Sequence, residues 1–274
     1  MIDYKKLETD GYLVIPNFLN SSEVDGILAQ FKTYRAAFDT SGPVNKNYNV
    51  IYSDITESLK NKAQSLLESI CNETNITVSG FGKKAEHLDS SITNFGWHQD
   101  HEVYYTYQDA YNCVHFWIPI VKPDTSRTGI DVIPHSKFEE KSPDIYKKYI
   151  KSKGAKRFLL RPPNIEMHDD EGGDIVMLDF DFDEVKDTPN VGPGDLVLLR
   201  GDTIHRSQLR SNSSPWRLSI AFWAFNLDAV VSKEQFYSGC DMKKSMIANN
   251  PTVFNKIAEK YKTATSLTMR HFLK

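Results

Sequence analysis

The chain has 274 residues, 40% of them hydrophobic and 12% aromatic, enough to bury a substantial core and to fold as a single domain over 1–274. Its 33 basic and 36 acidic side chains leave a net charge of -3, without the basic excess that a polyphosphate partner demands, so no nucleic acid is expected. No apolar run approaches the roughly 20 residues needed to cross a bilayer, so no membrane is expected either.

Cys71, Cys113 and Cys240 are widely separated and lack C-x-x-C spacing. Buried thiols in a reducing, cytoplasmic setting are expected rather than a disulfide frame or a zinc knuckle. The opening Met1-Ile2-Asp3-Tyr4-Lys5-Lys6 lacks an apolar leader core, and Phe272-Leu273-Lys274 is not a peroxisomal signal.

In chain order, Tyr12-Leu13-Val14-Ile15 reads as a short strand ended by Pro16. Asn20, with Glu23 three residues on, forms a capping-box start for a helix that carries Val24, Ile27, Leu28 and Phe31 at helical spacing. A second helix is expected over roughly 54–72, with Ile55, Leu59, Ala63, Leu66, Leu67 and Ile70 on one face. Both read as packing helices.

From about 76 to 228 the pattern turns to short β-rich runs at 84–95, 111–121, 129–133, 174–180, 195–200 and 216–227, punctuated by Gly and Pro. A mainly β architecture with flanking helices follows, a barrel or jelly roll. The polar stretch at about 137–173 reads as an insertion, either a cover for the barrel mouth or a solvated loop with one helix. Asp179-Phe180-Asp181-Phe182-Asp183-Glu184 alternates acid and aromatic like an edge strand with one wet face. From about 230 a helical tail is expected, around 233–240 and 251–262.

The chemistry concentrates at His98-Gln99-Asp100. On a strand, residues two apart share a face about 6 to 7 Å apart at Cα, so His98 and Asp100 can share one metal. A third ligand must come from elsewhere, and His205 follows the strand-like Gly194-Asp195-Leu196-Val197-Leu198-Leu199. Two imidazoles and one carboxylate leave three octahedral positions open, as a non-haem Fe(II) oxygenase needs for a co-substrate and O2; a closed structural zinc site leaves none. A zinc hydrolase of the metallo-β-lactamase kind needs a further His at the position of Gly96, and that reading fails. A barrel that binds or regulates without turnover is disfavoured by the intact ligand set.

Trp216 through Trp223 alternates, placing Arg217, Ser219, Ala221 and Trp223 on one face and Leu218, Ile220 and Phe222 on the other. An inward Arg217 needs an anion, and its guanidinium fork suits a carboxylate, with Ser207 adding a hydroxyl.

These residues resemble the phytanoyl-CoA dioxygenase family of Fe(II)/2-oxoglutarate oxygenases. The likeness runs through Asp10-Gly11-Tyr12-Leu13-Val14-Ile15-Pro16-Asn17-Phe18-Leu19, Trp97-His98-Gln99-Asp100-His101, Trp117-Ile118-Pro119, Gly129 to Ser136, and Gly194-Asp195 to Arg217, in the family's order. The resemblance implies a double-stranded β-helix of the jelly-roll, cupin-like kind. It also implies Fe(II) on His98, Asp100 and His205, 2-oxoglutarate on Arg217 and Ser207, and a cofactor pocket lined by Trp117 and Ser219. The implied reaction consumes O2, releases succinate and CO2, and hydroxylates, desaturates or cyclises a small-molecule metabolite, such as an amino acid or a specialised-metabolism intermediate. Asp100 stands where related halogenases carry a small residue, which favours these outcomes. Pro134-His135-Ser136-Lys137 departs from the Pro-Gly-Ser-His common in relatives.

For the substrate, His115 shares a strand face with Cys113 and Trp117 and is expected near the metal or in the core. Tyr104, Tyr105, Tyr107 and Tyr111 form either an aromatic lid or a packed surface loop. Arg157 and Arg161 are candidates for a carboxylated substrate, with a solvated surface as the alternative. His101 should point away from the metal.

Overall fold

The computed structural model describes residues 2–37, 49–53, 55–89, 96–100, 110–122, 129–151, 153, 156–169, 173–208, 217–237 and 251–272. Tyr104, Tyr105, Tyr107, His101 and Cys240 lie outside the described residues.

The N-terminal third supplies α1 (Lys5–Thr9), β1 (Tyr12–Ile15), α2 (Ser21–Ala37), β2 (Asn49–Ser53), α3 (Glu57–Glu73) and β3 (Gly80–Asp89). The start of α2 is the expected reciprocal cap: Glu23 N–H donates to Asn20 Oδ1 at 3.0 Å, and Asn20 N–H to Glu23 Oε2 at 2.7 Å. There follow β4 (Cys113–Val121), β5 (Ile130–Ile133), β6 (Lys156–Arg161), β7 (Asn164–Asp169), β8 (Ile175–Leu178), β9 (Leu196–Arg200), β10 (Ile204–Ser207) and β11 (Arg217–Phe225). The C-terminal segment holds β12 (Val230–Ser232), helices Lys233–Tyr237 and Pro251–Lys260, and β13 (Ser266–Thr268). The tail is therefore not purely helical, since β12 and β13 pair antiparallel.

Six strands form an antiparallel sheet in the order β1-β9-β4-β11-β3-β2. Alternation sorts its two faces. Val114, Phe116, Ile118 and Ile120 of β4, with Leu218, Ile220 and Phe222 of β11, pack with Leu59, Ala63, Leu67 and Ile70 of α3 and Val24 and Phe31 of α2. Each of these Val, Leu, Ile and Phe side chains contributes about 1.5–3 kcal/mol when fully buried. On the opposite face Trp117, Val197, Leu199 and Ala221 meet Tyr12 and the β5 residues Ile130 and Val132.

The facing layer is composite. β10 pairs with β5, and β6, β7 and β8 form a three-stranded antiparallel sheet. His98 joins the two groups, bridging to His205 on one side and to Arg157 on the other. The result is mostly antiparallel sheets with flanking helices, in a jelly-roll-like arrangement.

Three expectations are corrected. The 137–173 segment is not a polar loop with one helix: after helix His135–Lys141 it contributes β6 and β7, joined through Pro162-Pro163. Its polar appearance arises because only one face is buried, by Phe158, Ile165 and Met167. The alternating acid–aromatic stretch is not an edge strand: β8 ends at Leu178, and Asp181 Oδ1 accepts from Asp183 N–H at 2.8 Å to cap helix Phe182–Val185. Finally, His98 and Asp100 do not lie on a regular strand; His98 sits in isolated bridges and the chain leaves the ladder beyond it.

Candidate metal centre

The site is built where the composite layer faces the six-stranded sheet. His98 N–H donates to His205 O at 3.0 Å and His205 N–H to His98 O at 3.0 Å, so the two imidazoles project from a directly opposed pair. Their ring centroids lie 4.4 Å apart. One nitrogen of each ring is already engaged: His98 Nδ1 approaches Gly96 O at 2.7 Å and His205 Nδ1 approaches Thr203 O at 3.0 Å. Such bonds fix the Nδ1–H tautomer and turn both Nε2 atoms toward one point.

Asp100 completes the group, with Oδ1 3.6 Å from His205 Nε2. One ligand atom from each of His98, Asp100 and His205 lies within 4.8 Å of the others, a spacing one metal ion can satisfy. This is the only such group of three or more among the described residues. Burial opposes ionisation of Asp100, but the imidazoles of His115, His205 and His98 outweigh it and hold the carboxyl well below the usual carboxylate range. The donor set, two nitrogens and one anionic oxygen with no thiolate, fits ferrous iron.

The other Asp100 oxygen faces the six-stranded sheet. His115 Nδ1 is 2.7 Å from Oδ2, though the ring is not aligned for a straight hydrogen bond. Trp223 Nε1–H donates to the same oxygen at 3.4 Å. His115 and Trp223 are register partners on β4 and β11, stacked with centroids 5.0 Å apart at 18°. Of the two places expected for His115, near the metal or in the core, the structure gives the first, against a candidate ligand.

Arg217, the first residue of β11, is buried, and its Nη1–H donates to Gly129 O at 3.3 Å. Gly129 directly precedes Ile130, the register partner of Ser207. This draws the guanidinium toward the strand end that carries Ser207, two residues or about 7 Å along from His205. Ser219 and Trp117 are buried on the interior face. Arg161 is exposed at the end of β6, its Nε 3.7 Å from Glu166 Oε2.

Sequence reading missed the polar scaffold behind the two ligand segments. Gln99 is buried and donates Nε2–H to Asp202 O at 2.7 Å, tying the early segment to the turn before His205. The Asp202 carboxylate holds Arg200 in a fork, Nε to Oδ1 at 2.7 Å and Nη2 to Oδ2 at 3.0 Å. Arg200 Nη1–H donates to Glu8 O at 2.7 Å, and Thr203 Oγ1–H to Gly11 O at 2.5 Å. His135, at the departure from the Pro-Gly-Ser-His pattern, brings Nε2 to 3.2 Å from Asp202 Oδ1 without hydrogen-bond alignment. Gly11 makes room for that ring: its φ is +79°, and a Cβ there would lie 2.2 Å from His135 Cδ2. The available signal was Arg200 itself, a charge ending an apolar strand that needs a nearby carboxylate.

The sequence profile of the phytanoyl-CoA dioxygenase family matches residues 7–217. The chain belongs to this family. It is an Fe(II)/2-oxoglutarate-dependent dioxygenase, with iron as cofactor and 2-oxoglutarate as co-substrate. Solved structures show the same fold at low identity. The non-heme alpha ketoglutarate dependent epimerase SnoN from nogalamycin biosynthesis superposes with a TM-score of 0.53 at 15% identity, covering 83% of each chain. EvdO2 from Micromonospora carbonacea var. aurantiaca gives 0.53 at 14%, covering 81% of this family member and 89% of that chain. EctD from S. alaskensis, solved with 2-oxoglutarate and 5-hydroxyectoine, gives 0.52 at 12%, covering 85% and 78%. No curated protein matches by sequence. No helix among the described residues is long and apolar enough to cross a membrane.

Proposed function

We propose that His98, Asp100 and His205 hold the ferrous ion and that Arg217, with Ser207, grips the distal carboxylate of 2-oxoglutarate. Trp117 and Ser219 wall the co-substrate pocket. In this reading the two layers form a double-stranded β-helix, and 1–274 is one catalytic domain, because Phe236 and Tyr261 of the C-terminal segment pack with Cys113 and Phe225 of the six-stranded sheet. The reaction is the hydroxylation, desaturation or cyclisation of a small-molecule metabolite, with release of succinate and CO2.

The observation that carries the assignment is the convergence of the three donor atoms within 4.8 Å. When bound, iron and 2-oxoglutarate supply the oxidising chemistry. The chain positions and shields: His98 and His205 present Nε2 from a fixed pair, Asp100 remains ionised, and the Arg217 fork orients the diacid. Anaerobic addition of Fe(II) and 2-oxoglutarate should give a weak visible charge-transfer band, which Asp100→Ala abolishes along with turnover. A well-folded wild-type protein that shows no band at saturating ligand overturns the assignment.

A further inference from the structure

Asp100 points its two oxygens at different surroundings, and the difference decides how many positions a bound metal keeps open. Oδ1 lies 3.6 Å from His205 Nε2, beside a candidate donor. Oδ2 turns toward the six-stranded sheet, where Trp223 Nε1–H donates to it at 3.4 Å. His115 Nδ1 is nearer, at 2.7 Å, but it is not aligned for a straight hydrogen bond, so the indole supplies the directed donor.

Three features hold the indole in place. Its ring stacks on His115, with centroids 5.0 Å apart at 18°. It packs both against the interior cluster of Trp117, Val197 and Leu199 and against the C-terminal cluster that contains Phe236 and Tyr261. Strand register also breaks at this residue: Phe222 pairs with Lys84 and Ala224 with Phe81, so β3 carries one extra residue opposite Trp223. Bulges of this kind are frequent beside active sites, where they re-aim a side chain. Trp223 lies beyond residues 7–217, the stretch that the family profile matches, so that match assigns it no role.

A carboxylate binds a metal through one oxygen or through both. Two imidazoles and a single oxygen leave three octahedral positions, two for the chelating diacid and one for O2. With both Asp100 oxygens on the ion only two positions remain, and the diacid fills them. We propose that Trp223 is a positioning residue, whose indole N–H holds Asp100 Oδ2 off the metal so that one oxygen alone ligates and the O2 position stays open. This rests on the assignment of Asp100 as an iron ligand, and goes beyond it by naming the group that fixes how the carboxylate binds. Indole suits the task because it is a donor only and has no lone pair with which to compete for the ion. The bond is charge-assisted, roughly twice as strong as a neutral one, and Asp100 is buried, so water does not readily replace it.

Nitric oxide, a probe of the O2 position, tests this when titrated anaerobically into the full chain loaded with Fe(II) and saturating 2-oxoglutarate. Electron paramagnetic resonance reads nitric oxide binding, and the visible band reads the co-substrate. Trp223→Phe removes the N–H and part of the ring. Benzothienylalanine incorporated in place of Trp223 keeps the shape and the stack on His115 but puts sulfur where the N–H was. Both proteins should keep the band while nitric oxide affinity falls about tenfold or more, as expected for a lost hydrogen bond to a charged group. Where Trp223→Phe folds poorly, the sulfur isostere alone decides. Three outcomes overturn the proposal. A sulfur isostere with wild-type nitric oxide affinity shows that the ring acts by packing alone. A sulfur isostere that loses the band in step with nitric oxide affinity assigns Trp223 to holding 2-oxoglutarate. A wild-type chain that shows the band but takes up no nitric oxide has no open position for Trp223 to protect. A wild-type chain without the band overturns the Asp100 assignment beneath the proposal, a failure that the band reports separately from nitric oxide affinity.

Discussion

His98 and His205 are opposed residues of one hydrogen-bonded pair, each backbone N–H donating to the other's carbonyl at 3.0 Å. The distance between the two imidazoles is set by main-chain geometry, and their Nδ1 contacts to Gly96 O and Thr203 O set the ring orientation. Two of three donors are thus arranged before any ion binds, so less ordering is needed at binding.

Metal binding should therefore stabilise the folded chain without a large rearrangement. At a Mn(II) concentration a hundredfold above Kd, the stabilisation is about 2.7 kcal/mol, or roughly 5–10 °C in Tm for a chain of this size. His205→Ala should abolish the shift while leaving a cooperative thermal transition. Scanning calorimetry with and without Mn(II) reads it, and an equal shift in the variant would remove His205 from the ligand set.

In the proposed assignment Arg217 recognises shape as well as charge, since a guanidinium binds a carboxylate through two parallel hydrogen bonds and an ammonium does not. Arg217→Lys should weaken 2-oxoglutarate about tenfold to a hundredfold. Its Fe(II) affinity in the absence of 2-oxoglutarate should stay at the wild-type level. Titration of the visible band separates the two constants.

Asp202 governs the acid limb of stability. Burial opposes its ionisation, yet His135 and Arg200 hold its carboxyl well below the usual range. A folded value below the unfolded one of about 3.9 means that the ionised form favours the fold above that pH. The contribution then disappears as pH falls toward the folded value. Wild-type urea midpoints should decline from about pH 5 downward. Asp202→Asn leaves Arg200 buried without its counter-charge, at about 3–5 kcal/mol near pH 7, and should flatten that decline.

The candidate ligand set was legible because its signal is local: two donors two residues apart, then a histidine after an apolar run. The sorting of β4 and β11 into faces was legible through alternation, which put His115 with Trp117 and Trp223 with Arg217, while which face turns inward was not. What stayed hidden depends on distant partners. That Arg157, rather than Arg161, stands beside His98 is hidden until β6 is known to pair with the His98 segment. Phe182 reads as strand until Asp181 is seen capping a helix. Asp202 and Gln99 are 103 residues apart in sequence, and only the fold brings the amide of one to the carbonyl of the other.

His115 offers the sharpest test of how the pocket tunes its metal. Asp100 divides its oxygens, Oδ1 toward His205 at 3.6 Å and Oδ2 toward His115 at 2.7 Å and Trp223 at 3.4 Å. The Trp223 hydrogen bond and the His115 nitrogen beside Oδ2 fix the plane of the carboxylate, the latter by charge and contact rather than by a straight hydrogen bond, and outer-shell partners are worth about tenfold to a hundredfold in metal affinity. His115→Phe keeps a ring stacked on Trp223 but removes the nitrogen beside Oδ2. Competition titration should then show Fe(II) affinity falling by that factor, with the 2-oxoglutarate constant at saturating metal unchanged. If the ring served only as core packing, His115→Leu would lower Tm and His115→Phe would leave metal affinity intact, so the phenylalanine variant decides between the two roles.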